Sequence, residues 1–158
     1  MEMTKQITVF LENKPGRLAN VLAALANDKV NITALTVMDK HEHSVLRLVT
    51  DDFPRTVKVV AANNMPFTET EVLLVELKNQ PGALAHICEI LAKEHINIDY
   101  AYCSSGGRNG KVLGIFRVSN GEKAIRVLSA SPNERRTERK TTRDQRTYQA
   151  PKTNAAKR

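Results

Sequence analysis

The stretch LENKPGRLANVLAALANDKVNI, Leu11 to Ile32, returns as LKNQPGALAHICEILAKEHINI, Leu77 to Ile98. The two align without a gap at an offset of 66 residues, and ten of 22 positions are identical. Such self-similarity at a fixed spacing marks a repeated structural unit. Asn13, Pro15, Gly16, Leu18, Ala19, Leu25, Ala26, Asn31 and Ile32 recur as Asn79, Pro81, Gly82, Leu84, Ala85, Leu91, Ala92, Asn97 and Ile98. A duplicated core explains the leucines. It explains the asparagines less easily.

Outward from the repeat, the pattern switches between periods of two and 3.6 residues. Lys5–Glu12 alternates Ile7, Val9 and Leu11 with polar neighbours, which predicts a strand ended by Asn13-Lys14-Pro15-Gly16. Leu18, Val21, Leu22 and Leu25 follow helical spacing up to Asn27-Asp28. Asn31–Asp39 and Ser44–Thr50 predict two strands around a polar turn, and Asp51 is the expected cap of a helix ending near Asn63. Met65–Glu71 is extended. The order β-α-β-β-α-β is the split βαβ, or ferredoxin-like, motif. The second copy predicts a strand over Val72–Lys78, a helix over Gly82–Glu94, strands over Asn97–Ser104 and Lys111–Ser119, and a helix over Gly121–Ala130. After Leu128 the chain has no Val, Ile, Leu, Met or Phe. The expected fold class is therefore α+β, with two tandem ferredoxin-like βαββαβ units over residues 1–71 and 72–130. The second lacks its last strand, and 131–158 is a disordered basic tail. The missing strand predicts an unpaired sheet edge, which invites self-association.

At 158 residues the chain can hold two small units of about 65 residues, each near the lower limit for an independent core. The formal charge of +7 is uneven. Residues 131–158 carry nine Lys or Arg against three Asp or Glu, a balance of +6 that leaves +1 for residues 1–130. The whole-chain charge therefore gives no argument for a nucleic-acid surface on the folded part; only the tail would serve that alternative. No apolar run is long enough to span a membrane, and the N-terminus lacks the pattern of a signal peptide, so a cytoplasmic location is expected. Cys88 and Cys103 have neither metal-ligand nor redox spacing. Cys88 replaces Leu22 of the first copy and is expected to be a buried small hydrophobe.

The block Leu-Glu-Asn-x-Pro-Gly-x-Leu, followed by a helix and Val-Asn-Ile, resembles the ACT domain family, and both copies match. The resemblance covers residues 5 to about 130. The chain is similar to small stand-alone tandem ACT proteins, and also to the regulatory subunit of acetolactate synthase. It implies a regulatory module that binds a small molecule, usually an amino acid, and implies no catalysis and no cofactor. It also implies pairing of ACT units at the edge where the second strand starts, hence a homodimer, with a catalytic subunit of a biosynthetic enzyme as the alternative partner.

The site implied in this way is formed by Asn13, Pro15, Gly16, Arg17 and Leu18 with Asn31 and Ile32, and by Asn79, Pro81, Gly82, Ala83 and Leu84 with Asn97 and Ile98. Asn13's loop would face Asn97's strand, and Asn79's loop Asn31's. The chemistry is reasonable. A helix N-terminus offers free N–H donors and a partial positive charge to a carboxylate. An Asn amide both donates and accepts, so it can bridge an ammonium and a carboxylate. Gly16 and Gly82 would let a ligand approach the backbone. Arg17, where the second copy has Ala83, would make the first loop the tighter. Asn before Pro-Gly is also ordinary turn chemistry, and the spacing alone leaves both readings open. One departure is that positions 11 and 77 are Leu where several amino-acid-binding relatives carry a polar residue.

Other candidates are weaker. His41-Glu42-His43 lacks a third metal ligand and reads as a solvated turn. Ser104–Gly110 is glycine-rich but precedes a strand, unlike a phosphate loop. His86 and His95 read as surface residues. No nucleophile, base and orienter combination emerges, nor a metal or cofactor site.

Overall fold

The computed structural model describes residues 1–40, 43–107 and 111–131. Ten elements follow the expected order: β1 (Glu2–Glu12), α1 (Arg17–Asn27), β2 (Ile32–Lys40), β3 (His43–Thr50), α2 (Phe53–Ala62), β4 (Phe67–Lys78), α3 (Ala83–Lys93), β5 (Ile98–Gly107), β6 (Lys111–Val118) and α4 (Gly121–Ala130). The six strands form one antiparallel sheet in the order β2-β3-β1-β4-β6-β5. The expected basic tail lies outside the described residues from 132 onward.

Two boundaries differ from the sequence reading, for one reason. The extended segment Met65–Glu71 and the strand Val72–Lys78 are a single strand, β4, which closes the first unit with its first half and opens the second with its last half. Likewise β1 starts at Glu2 rather than Lys5. Its first residues, Glu2 to Lys5, pair with Leu74 to Glu71, where the second unit has no strand of its own among the described residues. The predicted unpaired edge is therefore covered up to Leu74 by the chain's own N-terminus, and among the described residues β2 and β5 end the strand order. Met3 anchors this extension. Its side chain lies against Gly121 at the start of α4, where a Cβ would come within 2.6 Å of the Met3 sulfur.

All four helices share one face of the sheet. Val21 and Leu25 of α1 and Val59 and Val60 of α2 pack on Ile7, Val9, Leu11, Leu46 and Leu48. Ile87 and Leu91 of α3 and Ala124 and Leu128 of α4 pack on Leu73, Val75, Leu77, Phe116 and Val118. Cys88 is half-buried rather than buried, because Ile87 and Leu91 hold the inward positions of α3. The helix after β3 is capped by Asp52, whose carboxylate accepts from the Arg55 N–H at 3.0 Å, and not by Asp51. Asp51 instead accepts from the Asn31 N–H.

The opposite face is not solvent-facing, as strand alternation suggests. The sheet rolls until its two edge strands, β2 and β5, approach within 8 Å. Ala34, Val49, Val72 and Ile115 form a second, inner core there, with Leu74, Tyr102 and Leu113 packed against it. Irregularities at corresponding places, between Ile32 and Ala34 and between Ile98 and Tyr100, turn both edge strands. Ile32 and Ile98 face the helices, while Ala34 belongs to the inner core and Tyr102 packs on it.

Candidate functional site

Each repeat leaves its first strand through the same double turn. The Lys14 N–H donates to the Glu12 carbonyl at 2.8 Å around Asn13, and the Gln80 N–H donates to the Lys78 carbonyl at 2.9 Å around Asn79. A β-turn follows at once, closed by Arg17 N–H to Lys14 carbonyl and by Ala83 N–H to Gln80 carbonyl, both at 3.3 Å. Pro15 and Pro81 take its second position. Gly16 (φ 84°, ψ −18°) and Gly82 (φ 86°, ψ −12°) take its third. This is a type II turn, for which Pro then Gly is the preferred pair.

The turn type accounts for both Pro-Gly pairs through backbone conformation. A Cβ on Gly16 or Gly82 would meet nothing within 4 Å, so the positive φ is what selects glycine. Asn13 and Asn79 are exposed at the bend before the turn. Both glycines are also helix N-caps, so neither α1 nor α3 receives a cap hydrogen bond from its N-cap side chain. Ser, Thr, Asp or Asn at that position usually supplies one.

Charge around the loops differs in arrangement but not in sum. At the first loop, Glu12 accepts from Arg17 at 2.6 Å and pairs with Lys14 at 3.2 Å. The hydrogen bond from Arg17, then that from Lys14, holds the Glu12 carboxyl below its ordinary range. At the second loop, Lys78 replaces Glu12, Gln80 replaces Lys14 and Ala83 replaces Arg17, so either set sums to +1. Arg17 is turned onto Glu12. Lys111 lies opposite Lys78 in the ladder and reaches Glu76 at 2.6 Å. That contact lowers the Glu76 carboxyl from its ordinary value.

Asn31 and Asn97 sit elsewhere. Both are tied by reciprocal backbone bonds: Asn31 N–H to Asp51 Oδ1 with Asp51 N–H to Asn31 carbonyl, and Asn97 N–H to Ser119 Oγ with Ser119 N–H to Asn97 carbonyl. The Asn97 amide also donates to Asp99 at 2.9 Å. By strand register Asn31 and Asn97 stand near the level of Thr4 and Gln6. Asn13 and Asn79 lie beyond opposite ends of the β1–β4 pair. One chain therefore brings Asn13, Pro15, Gly16, Arg17 and Leu18 together, and Asn79, Pro81, Gly82, Ala83 and Leu84 together, but joins neither loop to Asn31-Ile32 or Asn97-Ile98.

The edge strands are unequal. Leu35 and Val37 of β2 are each 43% exposed, and the corresponding residues of β5 are Ala101 and Cys103. His43, His86 and His95 are exposed. Among the described residues no group of three His, Cys, Asp or Glu converges on a metal-sized space, and no helix is long and apolar enough to cross a membrane. His41, Glu42 and residues 108–110 fall outside what is described, and Ser104 to Gly107 end β5.

Sequence reasoning missed a polar cluster inside the roll. Gln6 is fully buried. Its amide donates to the Tyr100 hydroxyl at 2.8 Å and to Thr8 Oγ1 at 3.1 Å, and its carbonyl accepts from the Tyr102 hydroxyl at 3.0 Å. The Arg47 guanidinium stacks 4.1 Å above the Tyr100 ring. Burial, then the neighbouring Tyr100, raises the Tyr102 phenol well above its ordinary value, with Arg47 working in the opposite sense.

A family model described as an ACT domain pair matches residues 2–136. A solved protein from Bacteroides thetaiotaomicron is 33% identical, with a TM-score of 0.75 over 81% of this chain and 88% of that one. The regulatory subunit of aspartate kinase from Thermus thermophilus shares the fold at 15% identity, with a TM-score of 0.60 over 82% of this chain and 97% of that one. The regulatory subunit of aspartate kinase from Thermus flavus does so at 17% identity, with a TM-score of 0.56 over 82% of this chain and 94% of that one. No curated protein matches the chain.

Proposed function

This chain belongs to the ACT domain pair family, whose domains are regulatory rather than catalytic, and on that premise we propose that it senses an amino acid at its two Asn-x-Pro-Gly loops. The observation that carries the reading is the double turn, repeated at both ends of the sheet. The type II turn calls for Pro and Gly, and Asn13 and Asn79 both occupy the bend before it. Each Asn precedes by a few residues a helix start whose N-cap is a glycine, a combination suited to the carboxylate and ammonium of an amino acid. A site shared with Asn31 or Asn97 requires a second copy of the chain. The exposed apolar side chains of Leu35 and Val37 on β2 support such a homodimer. The ligand would then shift the packing of the units by binding one arrangement more tightly than the other. A catalytic enzyme subunit is the partner that would read the shift, in keeping with the regulatory subunit of aspartate kinase among the structures that share the fold.

A thermal-shift screen of the amino acids tests this. A ligand at 100 times its Kd adds about 2.7 kcal/mol to stability. At least one amino acid should raise the melting temperature clearly; a screen in which none does refutes the amino-acid reading. Co-purification with a large catalytic subunit is the expected outcome for the partner.

A further inference from the structure

The two edge strands meet without a backbone ladder. β2 and β5 come within 8 Å, but they are the two ends of the hydrogen-bonded order, and among the described residues no strand pairing joins them. Elsewhere each strand is held to its neighbour by a ladder. Across this seam the roll is closed by side chains, and the polar ones converge on Gln6. Gln6 belongs to β1 of the first unit, while Tyr100 and Tyr102 belong to β5 of the second, and β1 and β5 are not neighbours in the sheet. Both polar atoms of the Gln6 side chain are thereby bonded to the far unit.

The repeat makes this more than an ordinary buried amide. At the 66-residue offset, Gln6 and Thr8 correspond to Val72 and Leu74, and Tyr100 corresponds to Ala34. The counterpart of the Gln6–Tyr100 contact is thus the apolar pair Val72 and Ala34, so the repeat does not make this polar contact twice. A buried polar network of this kind specifies one arrangement, because every alternative leaves its members without partners. An apolar interior alone would tolerate sliding.

We infer that the Gln6–Tyr100–Tyr102 cluster is a clasp that holds the β2/β5 seam shut, and that the seam opens when it is released while the outer helix-covered cores stay packed. The seam is then where the two units can change their mutual packing, the motion that the sensing reading requires. The clasp itself is tested without any ligand, so its failure would leave that reading standing.

Thiol labelling gives the test. Ala34 faces the inner core from β2 and is 2% exposed; Val21 lies under α1 in the outer core and is 1% exposed. Ala34→Cys and Val21→Cys are made separately in a Cys88→Ser, Cys103→Ser background, each with and without Tyr102→Phe, and labelled under native conditions. Tyr102→Phe keeps the ring and removes one hydroxyl donor, so it avoids the folding risk of Gln6→Leu. Loss of one net hydrogen bond should raise the opening equilibrium about fivefold. The expected result is labelling faster at position 34 than at position 21 without Tyr102→Phe, because the seam opens at lower free energy than the whole fold, and about fivefold faster again at position 34 with it. Labelling at position 34 no faster than at position 21 would mean that the inner core opens only on global unfolding and would overturn the clasp; no change at position 34 on Tyr102→Phe would overturn it as well.

Discussion

Gly16 offers a clean separation of backbone conformation from contact. Its φ of 84° places it in the left-handed region, and a Cβ there would meet nothing within 4 Å. Gly16→Ala therefore carries no steric cost from neighbouring atoms. The left-handed conformation costs an L-residue about 1–2 kcal/mol. Ala also restricts the unfolded chain, which offsets roughly 0.4–1 kcal/mol. A net loss near 1 kcal/mol remains, equivalent to about 4 °C in melting temperature for a folded body of this size. Gly16→Asn should lose less, because Asn tolerates this region, and Gly16→Val clearly more, because a β-branched residue there is an outlier. Gly82→Ala, at φ 86°, should match Gly16→Ala. Thermal denaturation of the four variants decides it. Equal stability of the Ala and wild-type proteins, or an Asn variant no better than Val, would refute the argument that φ selects glycine.

Two further outcomes follow from the observed contacts. Deleting residues 2–5 removes the strand that covers Glu71 to Leu74 and the packing of Met3 on α4, so stability should fall by about 1–2 kcal/mol and association should become concentration-dependent in sedimentation; a deletion protein with wild-type melting and mass would contradict this. The Glu12 carboxyl, held low chiefly by Arg17, should titrate below its ordinary value of 4.5, and Arg17→Ala should move it back up in an NMR titration. Because the folded value is the depressed one, its stabilising contribution is present above the unfolded value and is lost as pH falls through the folded one.

How much was legible in the sequence divides along the two faces of the sheet. The helix-facing core was readable because Ile7, Val9 and Leu11 alternate with polar residues while α1 and α3 repeat at helical spacing. The inner face was not. Gln6 and Thr8 occupy the alternate positions of β1, and local alternation reads polar residues there as solvent-facing. Only the roll of the whole sheet, a long-range consequence of twist and of the two edge irregularities, turns them inward. The continuity of β4 was hidden for a related reason: a strand shared by two units looks like two strands when each repeat is read alone. At the loops, the residues of the turn were legible, but their cause was not, since a type II turn and an open ligand approach both call for Gly. Asp52 was displaced from its cap in the sequence reading by the neighbouring Asp51, a choice that only the bond between Asp51 and Asn31 resolves.

The central claim concerns Asn13 and Asn79, and calorimetric titration with the amino acid found by thermal shift tests it most directly. Hydrogen bonds to charged groups contribute about 1.5–3 kcal/mol, so Asn13→Ala or Asn79→Ala should weaken its own site about 10- to 100-fold. The melting temperature without ligand should stay near the wild-type value, since both side chains are exposed in loops. Unchanged affinity in both variants would contradict the account and leave the two asparagines as turn residues.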